Sequence, residues 1–343
     1  MSSVGILANP LSGRDVRRLA ARASTTTPEI LRDQVARAAV GAVAAGAKRL
    51  LLLREPFGVS VRAVENLELG AEVELLDVGA ELRPADTARA ALRMREAGCG
   101  ALVVLGGDGT NRVVASVWPD APLVPLSTGT NNVFPLRVEA TAAGAAAGLV
   151  AAGRLALDAV ARPTKRVAVG IEGEAPDLAL IDAAFLVDDA VGNYMPVEPH
   201  KLRRLVLARA EPDAVGMSVI GGLVLPCGDD EEAGVEVLCG PEAEAPLLAP
   251  ISPGLFREVP VRSARRLELG ETVRVEGPGV LAFDGDRARA LAPGQGAVLA
   301  VRRDGPRRID VALALRRAAE AGAFRGVHFH DALDAAHDGR GCC

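Results

Sequence analysis

The residues best placed to do chemistry form one short run, Gly106-Gly107-Asp108-Gly109-Thr110. It follows the apolar run Leu102-Val103-Val104-Leu105 and precedes a stretch of helical character that begins near Asn111. A strand emptying into a glycine-rich turn ahead of a helix exposes backbone N–H groups and the positive end of the helix, and both favour phosphate. Asp108 is the pointed residue of the five. A carboxylate in such a turn repels phosphate unless it engages a metal or takes a proton from an attacking hydroxyl. No lysine follows, so the turn is not a Walker A loop. Alone, the five residues also read as an ordinary strand-to-helix turn with Asp108 or Thr110 as the cap.

Two further loops support the first. Asn9, Pro10, Leu11, Ser12 and Gly13 follow the first apolar run, and Ser127, Thr128, Gly129, Thr130, Asn131 and Asn132 follow another that ends at Leu126. The second loop offers hydroxyl and amide groups to a ribose or a phosphate without adding charge. Either loop alone reads as a polar turn. All three stand at the carboxyl ends of strands, where ligands sit in open α/β sheets.

The elements that must position these loops alternate. Strands are predicted at Val4 to Ala8, Arg49 to Leu53, Glu72 to Val78, Ala101 to Leu105 and Leu123 to Leu126. Helices are predicted at Pro28 to Ala45, Pro84 to Ala97 and Asn111 to Val117, with Thr27 and Thr110 as starts. This alternation predicts an α/β domain with a Rossmann-like, three-layer parallel sheet over residues 1–155. The stretch Ala140 to Gly153 is read as a buried helix. Beyond Leu155 the runs Arg166 to Ile171, Leu178 to Val187, Met217 to Leu225, Thr272 to Val275 and Ala297 to Val301 predict a mostly β domain over 156–308. A last helix at 309–323 is expected, with the option of packing back on the first domain, and residues 331–343 read as a flexible tail.

Composition bounds the function. The 343 residues carry a net charge of −5, which argues against a nucleic-acid partner. Apolar residues make up 49% of the chain but aromatics only 3%, so the core must be built from Ala, Val and Leu. The five cysteines have neither zinc-site nor disulfide spacing, and the first residues lack a basic segment and an apolar signal run. These features predict a cytoplasmic protein with no stable membrane association. His328, His330 and Asp331 are too sparse for a metal site, His200 reads as a surface residue, and Asp229 to Glu232 as a solvated loop. The pair Cys342-Cys343 reads as part of the tail rather than a prenylation signal.

Gly106 to Thr110 resembles the GGDGT signature shared by NAD kinases, diacylglycerol kinases and sphingosine kinases. Asn9-Pro10-x-Ser12-Gly13 and Gly129-Thr130-x-Asn132 are similar to the NPxSG and GTxN elements of the lipid-kinase branch. Val215 to Ser218 with Gly221-Gly222 loosely matches a glycine- and serine-rich segment of NAD kinases. Phe283-Asp284-Gly285-Asp286 resembles their late VDG turn and the DGE turn of lipid kinases. Across nearly the whole chain the likeness is to the ATP-NAD kinase-like family associated with acetoin catabolism, the AcoX type.

The resemblance implies Mg²⁺-dependent transfer of a phosphoryl group from ATP or another donor to a hydroxyl, with NAD the leading acceptor and a homo-oligomer, dimer or tetramer, as the assembly. It implies that Asn9, Ser12, Gly13, Gly106, Gly107, Gly109, Thr110 and Ser127 to Asn132 hold the nucleotide, and that Asp108 meets Mg²⁺ through the phosphates. By likeness to NAD kinases Asp108 is the base; by likeness to lipid kinases it is Asp286, one methylene shorter than the family's glutamate. Asp182, Gly216 and Ser218 are implied at the acceptor. Ile181 stands where NAD kinases carry an asparagine, and Val133 where lipid kinases carry an aspartate. Two other readings stay open: a lipid or small-diol kinase, and a non-catalytic NAD(P)- or ATP-binding regulator of acetoin metabolism.

Overall fold

The computed structural model describes residues 2–11, 22, 26–129 and 132–325. Ser12, Gly13, Thr130, Asn131, His328, His330, Asp331 and the segment 331–343, all singled out in the sequence, lie outside these residues.

The first half alternates as its sequence predicts: β1 (Ser3–Ala8), α1 (Pro28–Ala44), β2 (Arg49–Leu53), α2 (Val59–Val64), β3 (Glu72–Leu76), α3 (Pro84–Glu96), β4 (Ala101–Gly106), α4 (Asp108–Val117), β5 (Pro122–Ser127) and α5 (Ala140–Ala151). The parallel strands lie in the order β3-β2-β1-β4-β5. All six residues of β1 and of β4 are buried, as strands covered on both faces must be. On one face α1, α2 and α5 pack around Val4, Ile6, Leu50, Leu52, Val103 and Leu105. On the other, α3 and α4 cover Leu7, Leu51, Leu102 and Val104.

With few aromatics, helix must approach helix closely. Gly144 and Gly148 of α5 lie against the backbone carbonyls of Ala38 and Ala42 in α1, where a Cβ has no room. The α1 helix starts as expected, Thr27 Oγ1 accepting from the Ile30 N–H. The short α2 helix was not expected from sequence.

The end of the chain returns to this sheet. The strand Arg307–Ile309 runs parallel to β5 and pairs on its other edge with Ala161–Pro163. The helix Val311–Glu320 follows, N-capped by Asp310, and buries Ala314 and Ala318 against the α1 and α5 layer. Ile309, assigned to the final helix by sequence, thus ends a strand instead.

Between these segments the chain is antiparallel. A six-stranded sheet runs in the order Val261–Glu268, Ala233–Cys239, Leu202–Leu207, Asp182–Leu186, Gly279–Phe283, Asp286–Leu291. A four-stranded sheet runs Thr272–Glu276, Gly296–Arg302, Arg166–Ile171, Asp177–Ala179. Val167, Val206, Phe283 and Leu299 belong to the core between the two sheets.

Two expectations here need correction. The run Met217 to Leu225, read as β, is helical over Met217–Gly222. Gly216 enters it at φ +100°, a conformation only glycine adopts readily, and Cβ atoms at Gly221 and Gly222 would meet Leu207 and the Glu211–Pro212 backbone. The run Leu178 to Val187 divides into Asp177–Ala179 and Asp182–Leu186. The break falls where the Leu180, Ile181 and Asp182 amides turn from a strand ladder to the Asp284 carboxylate.

Candidate active site

In a sheet ordered β3-β2-β1-β4-β5, the chain leaves β1 and β4 in opposite directions, opening a crevice at their carboxyl ends. Asn9 follows β1 and Gly107 follows β4. The Asn9 N–H donates to the Leu105 carbonyl, and Asn9 Nδ2 donates to Thr110 Oγ1 at 2.9 Å. The two loops therefore form one structure.

The helix begins earlier than its sequence predicts. Gly107 is the cap and Asp108 the first residue, so Thr110 lies inside the first turn rather than before it. The first N–H groups of an α-helix have no partner within it, and here they face the crevice end of β4. Packing demands the glycines: a Cβ on Gly106 would lie 2.6 Å from Thr110 Cβ, and one on Gly107 2.8 Å from Asn132 Oδ1. Asn132 Nδ2 donates to Ser127 Oγ at 3.0 Å, and Ser127 Oγ donates to the Gly129 carbonyl. The buried Thr128 offers its carbonyl to Thr26 Oγ1. Asn9, Gly106, Gly107, Thr110, Ser127, Gly129 and Asn132 are thus brought together.

Asp108 is engaged within the fold. It is 9% exposed, and its carboxylate accepts from the backbone N–H of Phe134 at 2.8 Å and of Val133 at 3.2 Å. Burial, reinforced by the nearby Asp284 charge, pushes its pKa up to about 7 against the pull of those amides and of Arg209. It ties the Asn132–Phe134 segment to the start of α4.

Asp286 comes from the antiparallel region. Its Oδ2 lies 3.2 Å from where a Cβ on Gly109 would stand, so the late turn and the glycine turn meet. Its side chain is 40% exposed, with Arg112 Nη2 at 3.9 Å. Two residues earlier, Asp284 is buried at φ +50°, a conformation aspartate tolerates. Its carboxylate accepts from Leu180 at 3.0 Å, Ile181 at 2.8 Å and Asp182 at 3.3 Å. Burial raises its pKa against Arg112 and these amides. Asp182, 6% exposed, is joined to Asp284 through the backbone of both residues.

Gly216 and Ser218, implied at the acceptor, spend their polar groups within the fold. The Gly216 N–H donates to the Pro250 carbonyl; Ser218, fully buried, donates to the Arg209 carbonyl and accepts from the Glu211 N–H. Both serve the backbone.

Sequence reasoning passed over four residues. Arg112 stands beside Asp177, Asp284 and Asp286 at 3.8 to 4.0 Å and over the Phe283 ring at 5.8 Å. Asp284 carried a signal only as part of its turn. Arg209 and Arg308 lie over the Phe134 ring at 5.3 and 5.9 Å, and both reach Asp229 Oδ2 at 3.1 Å. Burial alone would raise the Asp229 carboxyl; the two guanidiniums outweigh it and hold it below its usual range. Asp229, expected in a solvated loop, is instead part of the tie that fixes Phe134 and, through it, Asp108.

Among the described residues no group of three or more His, Cys, Asp or Glu is placed to hold a metal ion, and no helix is long and apolar enough to cross a membrane.

Residues 4–154 match the family model of the ATP-NAD kinase N-terminal domain, and residues 165–304 that of the acetoin catabolism protein X C-terminal domain. A yeast NADH kinase solved with NADH aligns with a TM-score of 0.49 at 12% identity, over 95% of this chain and 89% of that one. Acetoin catabolism protein X of Cupriavidus necator is 36% identical over 338 residues, 94% of each chain. Such identity across almost the full length places the chain in the acetoin catabolism protein X family.

Proposed function

We propose that this protein is a phosphotransferase that moves the terminal phosphoryl group of ATP to a hydroxyl, with NAD as the leading acceptor. The observation that carries the reading is the meeting of Asp286 with the first turn of α4: an accessible carboxylate stands beside a helix start shaped for phosphate. The kinase-type N-terminal domain supports the same class.

Asp286 is the better-placed base, because Asp108 is buried and engaged with two amides. Asp286 takes the proton of the acceptor hydroxyl as its oxygen attacks the terminal phosphorus. The bond from that phosphorus to the bridging oxygen breaks, and its electron pair leaves on ADP. Backbone amides of Asp108 to Thr110 face the charge on the transferred group, and Asn9, Ser127 and Asn132 hold the loops around it. The engaged Asp108 oxygens suit Mg²⁺ carried on the nucleotide phosphates rather than bound directly by this side chain. When bound there, Mg²⁺ neutralises phosphate charge.

The test is ADP formation with ATP and Mg²⁺ against NAD, NADH, acetoin, 2,3-butanediol and diacylglycerol, with phosphorylated product identified. Turnover on one acceptor that is lost in Asp286→Asn supports the reading. A second reading, a nucleotide-binding regulator without turnover, is favoured by one observation: Ile181 spends its backbone amide on Asp284 and has no side-chain amide for an acceptor. Tight nucleotide binding without turnover on any of the five would select it.

A further inference from the structure

Asp286 and Arg112 open onto a cleft of about 360 Å³ beside α4, whose lining also includes Tyr194. Tyr194 is the only tyrosine in a chain with 3% aromatic residues, and it is 62% exposed. The loop that carries it is held firmly. Arg287, next to Asp286, pairs with Asp189 at 3.2 Å, and their side chains are 1% and 2% exposed. Arg287 Nη1 donates to the Met195 carbonyl, the Gly192 N–H donates to the Arg287 carbonyl, and Asn193 Nδ2 donates to Asp189 Oδ1 at 2.8 Å. A buried ion pair and three hydrogen bonds thus hold the loop on which the exposed Tyr194 ring stands. Holding the loop lowers the ordering cost of stacking a ligand on that ring, which has only two side-chain torsions to fix.

The rest of the lining indicates what stacks there. Five of the ten lining residues are charged, which suits hydroxyls and polar ring edges and not an acyl chain. The volume lies at the small end of ligand sites, enough for one ring-and-ribose unit and too little for a whole dinucleotide.

We propose that this cleft receives the nucleoside portion of the acceptor, with its heteroaromatic ring on Tyr194 and a ribose hydroxyl directed to Asp286. The inference rests on the reading of Asp286 as the group that meets the acceptor. For NAD it places one nucleoside half in the cleft and leaves the other outside.

The single tyrosine makes a selective probe. The full chain labelled with 3-fluorotyrosine has one ¹⁹F line, followed with ADP present to fill the donor side. Adenosine, nicotinamide riboside and NAD should shift that line saturably, while ribose, acetoin and a short-chain diacylglycerol leave it in place. Tyr194→Ala should weaken NAD binding by about tenfold in calorimetry, and Tyr194→Phe should retain it. A line that ignores all three nucleosides, or moves with diacylglycerol alone, overturns the assignment, as does undiminished NAD affinity in Tyr194→Ala. Turnover on NAD without movement of the line removes the platform and leaves the kinase reading standing. A shifted line with no turnover on any acceptor keeps the platform and removes the kinase reading.

Discussion

The two turns that meet in the crevice, Gly106–Thr110 and Phe283–Asp286, use their aspartates in opposite proportion. In the first the single carboxylate, Asp108, is buried and tied to the Val133 and Phe134 amides. In the second, buried Asp284 does the tying, with three amides of Leu180 to Asp182, and Asp286, 40% exposed and beside Arg112, lines a cleft. A carboxylate engaged with backbone donors keeps loops in place, and in the mechanism we propose the chemistry falls to Asp286.

Four substitutions sharpen or break this division. The largest effect is expected at Asp286→Asn: turnover on the best acceptor should fall about a hundredfold or more, the usual range for losing a general base, with thermal stability near wild type. Asp284→Asn should act on the fold instead, costing about 2 kcal/mol in denaturant unfolding as an NH₂ group meets backbone donors. Asp108→Asn should cost a similar or slightly smaller amount, since it serves two amides rather than three, with reduced turnover following from loosened loops. Its nucleotide affinity should stay within a fewfold of wild type. The smallest effect is expected at Gly109→Ala, whose new methyl would press on Asp286 at 3.2 Å; under about 1 kcal/mol of stability should be lost, with a rise in acceptor KM.

The Asp108 pKa gives a test by pH. Its folded value of about 7 lies above the ordinary carboxylate value, so between pH 4 and 7 the folded chain holds a proton that the unfolded chain has released. This contribution to stability is complete below pH 4 and is lost as pH rises through 7. Melting curves across that window should therefore show wild type weakening with rising pH more steeply than Asp108→Asn.

Much of the first domain was legible because its central strands are short, largely apolar runs punctuated by glycine and polar loops. The meeting of Asn9 with Thr110 and of Asn132 with Gly107 follows from strand order, and each residue was marked by its loop. The antiparallel half was less legible. Met217 to Leu225 is an apolar run without a period that separates helix from strand, and the φ of Gly216 decides it. Asp284 took its role from amides 102 to 104 residues earlier in the chain, a pairing that no local pattern announces. Arg308 likewise joins Arg209 and Asp229 because the last strand returns to β5. Tyr194 carried no sequence signal, since neither its exposure nor the ion pair that holds its loop can be read from a local pattern.

The most direct test of the division between the two turns is one paired measurement of turnover and nucleotide affinity in Asp286→Asn, using the acceptor that gives the highest wild-type rate. Turnover should fall about a hundredfold or more with ADP affinity unchanged. Full turnover in that variant, with Asp108→Asn inactive and as stable as wild type, would contradict it and return the chemistry to the buried aspartate of the glycine turn.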